Sequence, residues 1–159
     1  MSSDFNAPFN EAFTPASPAG ELYEPSPGDR AEGCAAVSPA TILVVEDDPD
    51  VRALVVELLA GWGHRVLSAV DGAMALAILD RDPSIRLMFS DVVMPGKLSG
   101  GELAERARRL RPDLKVLLTS GFIEHPALRS APIDGIAAFI AKPYRPRELA
   151  AQIRQVLAE

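Results

Sequence analysis

The chain has a single cysteine, Cys34. One thiol excludes an intrachain disulfide and any cysteine-based metal cage. With no basic or histidine neighbour to lower its pKa, Cys34 reads as an incidental thiol. Long apolar runs are absent too: none approaches the roughly 20 residues that span a bilayer, so no membrane segment is expected. The opening Met1-Ser2-Ser3-Asp4 has no positive stretch followed by an apolar one, so no secretory signal is read and a cytoplasmic location is expected. A basic face is the third absence. Lysine and arginine number 16 against 22 aspartates and glutamates, a net charge of −6, which argues against direct binding of a nucleic-acid backbone.

What is present fits a soluble globular protein, with 48% hydrophobic and 24% charged residues. A length of 159 residues leaves room for one ordinary domain and little more. The charge is unevenly spread. Residues 1–40 hold six acidic residues against Arg30 alone, and six of the 14 prolines. That segment shows no sustained apolar period and cannot bury enough surface to offset its ordering entropy, so it reads as a disordered tail before a domain at 41–159. Phe5, Phe9 and Phe13, spaced by four, hint at a short docking helix that Pro8 and Pro15 interrupt.

From residue 41 strands and helices alternate. Ile42-Leu43-Val44-Val45 is a short apolar run suited to a strand buried on both faces. Asp48 is available as an N-cap and Pro49 as the first helical residue. Val51, Leu54, Val55, Leu58, Leu59 and Trp62 follow on one helical stripe, stopped near Gly61 and Gly63. Strands are expected at 65–70, 85–90, 114–118 and 136–141. Helices are expected at 73–80 and 102–110, the latter with Leu103, Ala107 and Leu110 inward. A short helix is expected at 124–130 between Pro126 and Pro132, and a last one carries Leu149, Ile153, Val156 and Leu157. Five such units give a doubly wound parallel α/β sheet with right-handed crossovers.

Three polar devices stand at strand ends: Glu46-Asp47-Asp48 after the first, Asp91 after the third and Lys142 after the fifth. In an open parallel sheet that edge is where ligands bind. Carboxylates gathered around one ammonium suggest a divalent cation and an anionic group such as phosphate. The motifs Val44-Val45-Glu46-Asp47-Asp48, Ser90-Asp91-Val92-Val93-Met94-Pro95, Leu118-Thr119-Ser120-Gly121 and Ala141-Lys142-Pro143-Tyr144 together resemble the receiver domains of two-component response regulators, over about residues 41–158. Each motif alone is weak; all four in order make a specific pattern.

The resemblance implies a flavodoxin-like fold with strand order 2-1-3-4-5. It implies that Asp91 accepts a phosphoryl group from a histidine kinase or phosphotransfer protein. Mg²⁺ would be bound by Asp47, Asp91 and the backbone carbonyl of Val93, with Glu46 acting through a coordinated water. Thr119 and Lys142 would contact the phosphoryl group, and Phe139 falls at the family's switch position. This sequence departs from the family in one place. Gly96-Lys97-Leu98-Ser99 is one residue longer than the commonest loop, and Ser99 stands where an aspartate often precedes the glycine, a loop similar to that of receivers attached to hybrid sensor kinases.

Blander readings apply elsewhere. His64 and His125 lack a kinase-like context and read as surface residues, and Arg106, Arg108, Arg109 and Arg111 read as a solvated helix end facing the C-terminal dipole. Only one helix follows Lys142, so a stand-alone receiver or phosphorelay carrier is expected. It would be a monomer or weak dimer signalling to a downstream protein through the surface near Phe139. It would not be a substrate-processing enzyme, beyond Mg²⁺-dependent self-phosphorylation and self-dephosphorylation of Asp91. The rival reading is a receiver-like module that binds its partner without phosphorylation.

Overall fold

The computed structural model describes residues 38–94, 96, 98–121 and 138–158. Phe5, Phe9, Phe13, Cys34, His125 and the expected helix at 124–130 therefore lie outside the described residues. Within them the elements run β1 (Thr41–Val45), α1 (Pro49–Gly61), β2 (Arg65–Ala69), α2 (Gly72–Arg81), β3 (Ile85–Asp91), α3 (Gly100–Leu110), β4 (Lys115–Ser120), β5 (Ala138–Ala141) and α4 (Pro146–Ala158). The strands form one five-stranded parallel sheet in the order β2-β1-β3-β4-β5. This is the flavodoxin-like order, and the sequence reversal between β1 and β3 leaves a crevice at their C-terminal ends.

Side chains alternate across the sheet into two apolar layers. Leu43 and Val45 join Leu79, Met88, Leu103, Ala107 and Leu118 beneath α2 and α3. Ile42 and Val44 join Val55, Leu59, Leu87, Leu117, Leu149 and Ile153 beneath α1 and α4. Because both faces are covered, β1 is apolar and buried from Ile42 to Val45, after the half-buried Thr41 at its start. Full burial of each Leu, Ile or Val contributes about 1.5–3 kcal/mol, so the two layers supply the main driving force.

One irregularity sets the register. Thr41 pairs with Ile85, yet Ile42 pairs with Leu87, so Arg86 is an extra residue in β3. Above it the ladder is regular and puts Val45 opposite Ser90 and Asp91 opposite Thr119.

Local chemistry explains the helix ends. Asp48 accepts hydrogen bonds from the amides of Asp50 (2.9 Å) and Val51 (3.1 Å), with Pro49 inside the first turn. Gly63 follows α1 with a φ of 88°, a left-handed conformation that a glycine takes without strain. Ser99 and Glu102 form a reciprocal capping box at the start of α3.

Three expectations need correction. Leu54 is 50% exposed: at 3.6 residues per turn it lies roughly 120° from the mean direction of Val55 and Leu59, outside the buried stripe. Leu110 is 43% exposed, being in the final turn of α3, beyond the buried Leu103, Ala104 and Ala107. His64 is not a surface residue. It is buried at 6% exposure, and its Nδ1 accepts the Ala40 amide at 3.3 Å. The Arg65 amide in turn donates to the Ala40 carbonyl, so the packed unit takes in Ala40.

Candidate functional site

The sheet register gathers the polar residues. β1 ends at Val45, opposite Ser90, so Glu46 and Asp47 leave the sheet level with Asp91. β3 ends on Asp91, whose partner across the ladder is Thr119 in β4. Ser120 pairs with Ala141, so the next residue, Lys142, emerges beside them; its amide donates to the Ser120 carbonyl at 2.9 Å. The Lys142-Pro143 peptide is cis.

Lys142 is the hub. Its Nζ lies 2.6 Å from Asp91 Oδ2 and 3.1 Å from Glu46 Oε2. The other oxygen of Asp91, Oδ1, accepts the Val93 amide at 2.9 Å. Glu46 is almost fully buried, and burial pushes its pKa above the ordinary 4.5 despite the ammonium beside it. For Lys142 burial works toward a lower pKa, but the hydrogen bonds and charges of Asp91 and Glu46 outweigh it and hold the ammonium above 10.5. The two directions are consistent: the glutamate is the more enclosed partner, and the lysine has two anions to its one.

Tyr144 borders the site. Its ring meets Phe89 edge-on at 6.1 Å, and burial pushes its hydroxyl up to about 12. It stays neutral beside the charged groups.

Thr119 is buried, and its Oγ1 has no hydrogen-bond partner among the described residues. A buried hydroxyl left unpaired is costly unless a ligand or water completes it. Asp47 is exposed, and its carboxylate makes no hydrogen bond or ion pair within the described residues. Phe139 is half-buried opposite Leu118, packed against the apolar layer under α3, one residue from the partner of Thr119.

The donor set fits a hard cation in its chemistry. Glu46, Asp47 and Asp91 offer only oxygen, and Mg²⁺ keeps several waters, so one or two carboxylates suffice. Among the described residues no three His, Cys, Asp or Glu side chains are gathered so as to hold a metal ion; Lys142 sits between Asp91 and Glu46 instead.

Two contributors went unread in the sequence. Arg52 Nη1 donates to the carbonyls of Glu46 (2.8 Å) and Asp47 (3.3 Å). Gly100 packs directly on the Asp91 backbone: a Cβ there would strike the Asp91 carbonyl oxygen and lie 2.7 Å from Val92 Cα. The glycine pair at the head of α3 was the available signal for the second. The first had none, because nothing local says where an arginine will reach.

Comparison with known proteins accords with this arrangement. Residues 42–154 match the family model of the response regulator receiver domain. The response regulator receiver protein CpdR of Brucella abortus (strain 2308) is 34% identical over 116 residues, covering 73% of this chain and 95% of CpdR. The sensor kinase CckA of the same strain is 34% identical over 119 residues, covering 74% of this chain but only 12% of the kinase. Among solved structures, a response regulator receiver domain protein from Clostridium thermocellum superposes with a TM-score of 0.70 at 26% identity, covering 75% of this chain and 94% of that one. With the sheet order, the strand-end carboxylates and the family match in agreement, the chain belongs to the response regulator receiver domain family of two-component systems.

Proposed function

We propose that this chain is a phosphoacceptor receiver, phosphorylated on Asp91 by a histidine kinase or phosphotransfer protein and signalling through a partner protein. The observation that carries this reading is the Lys142 ammonium bridging Asp91 Oδ2 and Glu46 Oε2, beside the buried hydroxyl of Thr119, which has no partner among the described residues. In the forward step an Asp91 oxygen forms a bond to phosphorus as the donor's bond to phosphorus breaks. Phosphoryl transfer asks mainly for positioning and charge neutralisation. Lys142 neutralises the acceptor carboxylate, the Val93 amide fixes its orientation, and the Thr119 hydroxyl donates a hydrogen bond to a phosphoryl oxygen.

Receivers take Mg²⁺ at their acidic pocket. Here Asp47, Asp91 and the Val93 carbonyl would hold it, with Glu46 acting through water. When bound, the ion offsets the charge of the incoming phosphoryl group.

The added phosphoryl charge would draw Thr119 inward and shift Phe139, biasing the neighbouring surface toward a partner, with coupling on the order of 1–3 kcal/mol. The complete set of acidic, hydroxyl and ammonium groups disfavours a module that acts without phosphate.

The direct test is incubation with acetyl phosphate and Mg²⁺, read by intact mass. The wild-type chain should gain one phosphoryl group and Asp91→Asn none. A wild-type chain that stays unmodified, or an Asp91→Asn variant that is still labelled, overturns the assignment.

A further inference from the structure

The loop that leaves β1 is tied at nearly every backbone handle. The Glu46 amide donates to the Ala69 carbonyl at 3.2 Å, and the Asp48 amide donates to Glu46 Oε1 at 3.3 Å. The Asp48 carboxylate caps α1. From the first turn of α1, Arg52 reaches back, and its Nη1 donates to the carbonyls of both Glu46 (2.8 Å) and Asp47 (3.3 Å). The Asp47 carboxylate is exposed and makes no hydrogen bond or ion pair among the described residues.

We infer that Arg52 is a positioning residue for cation binding: it holds the backbone from which the Asp47 carboxylate projects, so that the loop is ordered before an ion arrives. This rests on the Mg²⁺ reading above and adds to it a residue outside the ligand set. Two effects of Arg52 oppose each other, and that makes the idea testable. As a bare positive charge near the pocket it repels a divalent cation, and its removal would tighten binding. As a clamp it spares the loop an ordering cost on binding, and its removal would weaken binding.

The experiment compares full-length wild type with Arg52→Gln and Arg52→Lys, using isothermal titration with Mg²⁺ and amide hydrogen exchange in the metal-free proteins. Loss of a partner that orients metal ligands weakens affinity by about 10–100-fold. Because this contact acts through the backbone, we expect the lower end for Arg52→Gln, with faster exchange at Asp47 and Asp48. A single nitrogen serves both carbonyls, so Arg52→Lys should recover most of the affinity. Mg²⁺ affinity unchanged or tighter in Arg52→Gln overturns the inference. If wild type itself does not bind Mg²⁺, the cation reading fails, and exchange alone decides: unchanged rates in the variant overturn the clamp as well. A readout in the wild-type chain guards against a variant that does not fold. The Arg52 Nη protons should resolve in cold NMR spectra with couplings to the Glu46 carbonyl, and a freely rotating guanidinium would contradict the clamp.

Discussion

Gly100, the first residue of α3, presses its Cα against the backbone of Asp91, the last residue of β3. The space a Cβ would need is taken by the Asp91 carbonyl oxygen and by Val92 Cα. The Gly100 amide donates to the Val92 carbonyl at 3.0 Å, and the Ser90 hydroxyl donates to the Asp91 carbonyl, also at 3.0 Å. The proposed acceptor is therefore held from below by its own strand and from the side by a helix start. Gly100→Ala must move one of them. Overpacking of this kind costs about 1–3 kcal/mol. The expected outcome is a urea midpoint lowered accordingly and slower labelling by acetyl phosphate. Leu79→Ala, in the buried layer under α2, should lower the midpoint without the same loss of labelling rate.

Mg²⁺ should raise the thermal midpoint of the wild-type chain by mass action, in proportion to the logarithm of its concentration above Kd. Asp47→Asn removes a proposed charged ligand that makes no hydrogen bond or ion pair among the described residues, so the apo midpoint should hold or rise slightly and the Mg²⁺ increment should shrink strongly. An undiminished increment in the variant would remove Asp47 from the ligand set.

His64 gives a pH signature. Its burial pushes the imidazole below the ordinary 6.5, and the Nδ1 lone pair already accepts the Ala40 amide. The folded chain therefore resists a proton that the unfolded chain accepts. Stability is fully present above about 6.5 and falls as pH drops from there toward the folded pKa. His64→Phe should flatten that part of the profile in urea denaturation followed from pH 7.5 to 5.

Removing residues 1–37 should leave the thermal midpoint nearly unchanged, the outcome expected of an acidic, proline-rich segment without a sustained apolar period. Extending the deletion through Ala40 strips the hydrogen bond to His64 and a buried methyl group, and should cost about 1–2 kcal/mol. Equal midpoints for the two truncations would show that the contact at Ala40 contributes nothing.

Beryllofluoride, which mimics a phosphoryl group on Asp91, should shift NMR signals beyond the pocket, through Phe139 and β5. Those distant shifts should disappear in Thr119→Ala. Changes restricted to residues touching Asp91 would sever the proposed link between Thr119 and Phe139.

Much of this was legible because a parallel sheet converts sequence order into place. An apolar run followed by a polar residue marks a C-terminal strand end, and Glu46, Asp91 and Lys142 each announce themselves that way. Asp48 and Pro49 were legible for a different reason, since capping is local chemistry. The contacts that escaped are those with no local sequence pattern to announce them. Arg52 bonds backbone carbonyls that carry no sequence signal, and Gly100 is required by a backbone nine residues away. His64 is buried by Ala40, 24 residues earlier. Leu54 and Leu110 were misplaced because periodicity gives the direction of a stripe but not its width or how far along the helix its cover extends.

The unmatched Arg86 in β3 has an evolutionary reading. Ile85 and Leu87, two residues apart, point into opposite layers, so the alternation changes phase at Arg86, an exposed residue outside the pairing with β4. Losing it would restore simple alternation while leaving every pairing from Leu87 to Asp91 in place. Arg86 is therefore a spacer where the chain can gain or lose length without moving Asp91. A one-residue insertion between Leu87 and Asp91 would instead rotate the carboxylate to the wrong face, and the module would fold and stay silent.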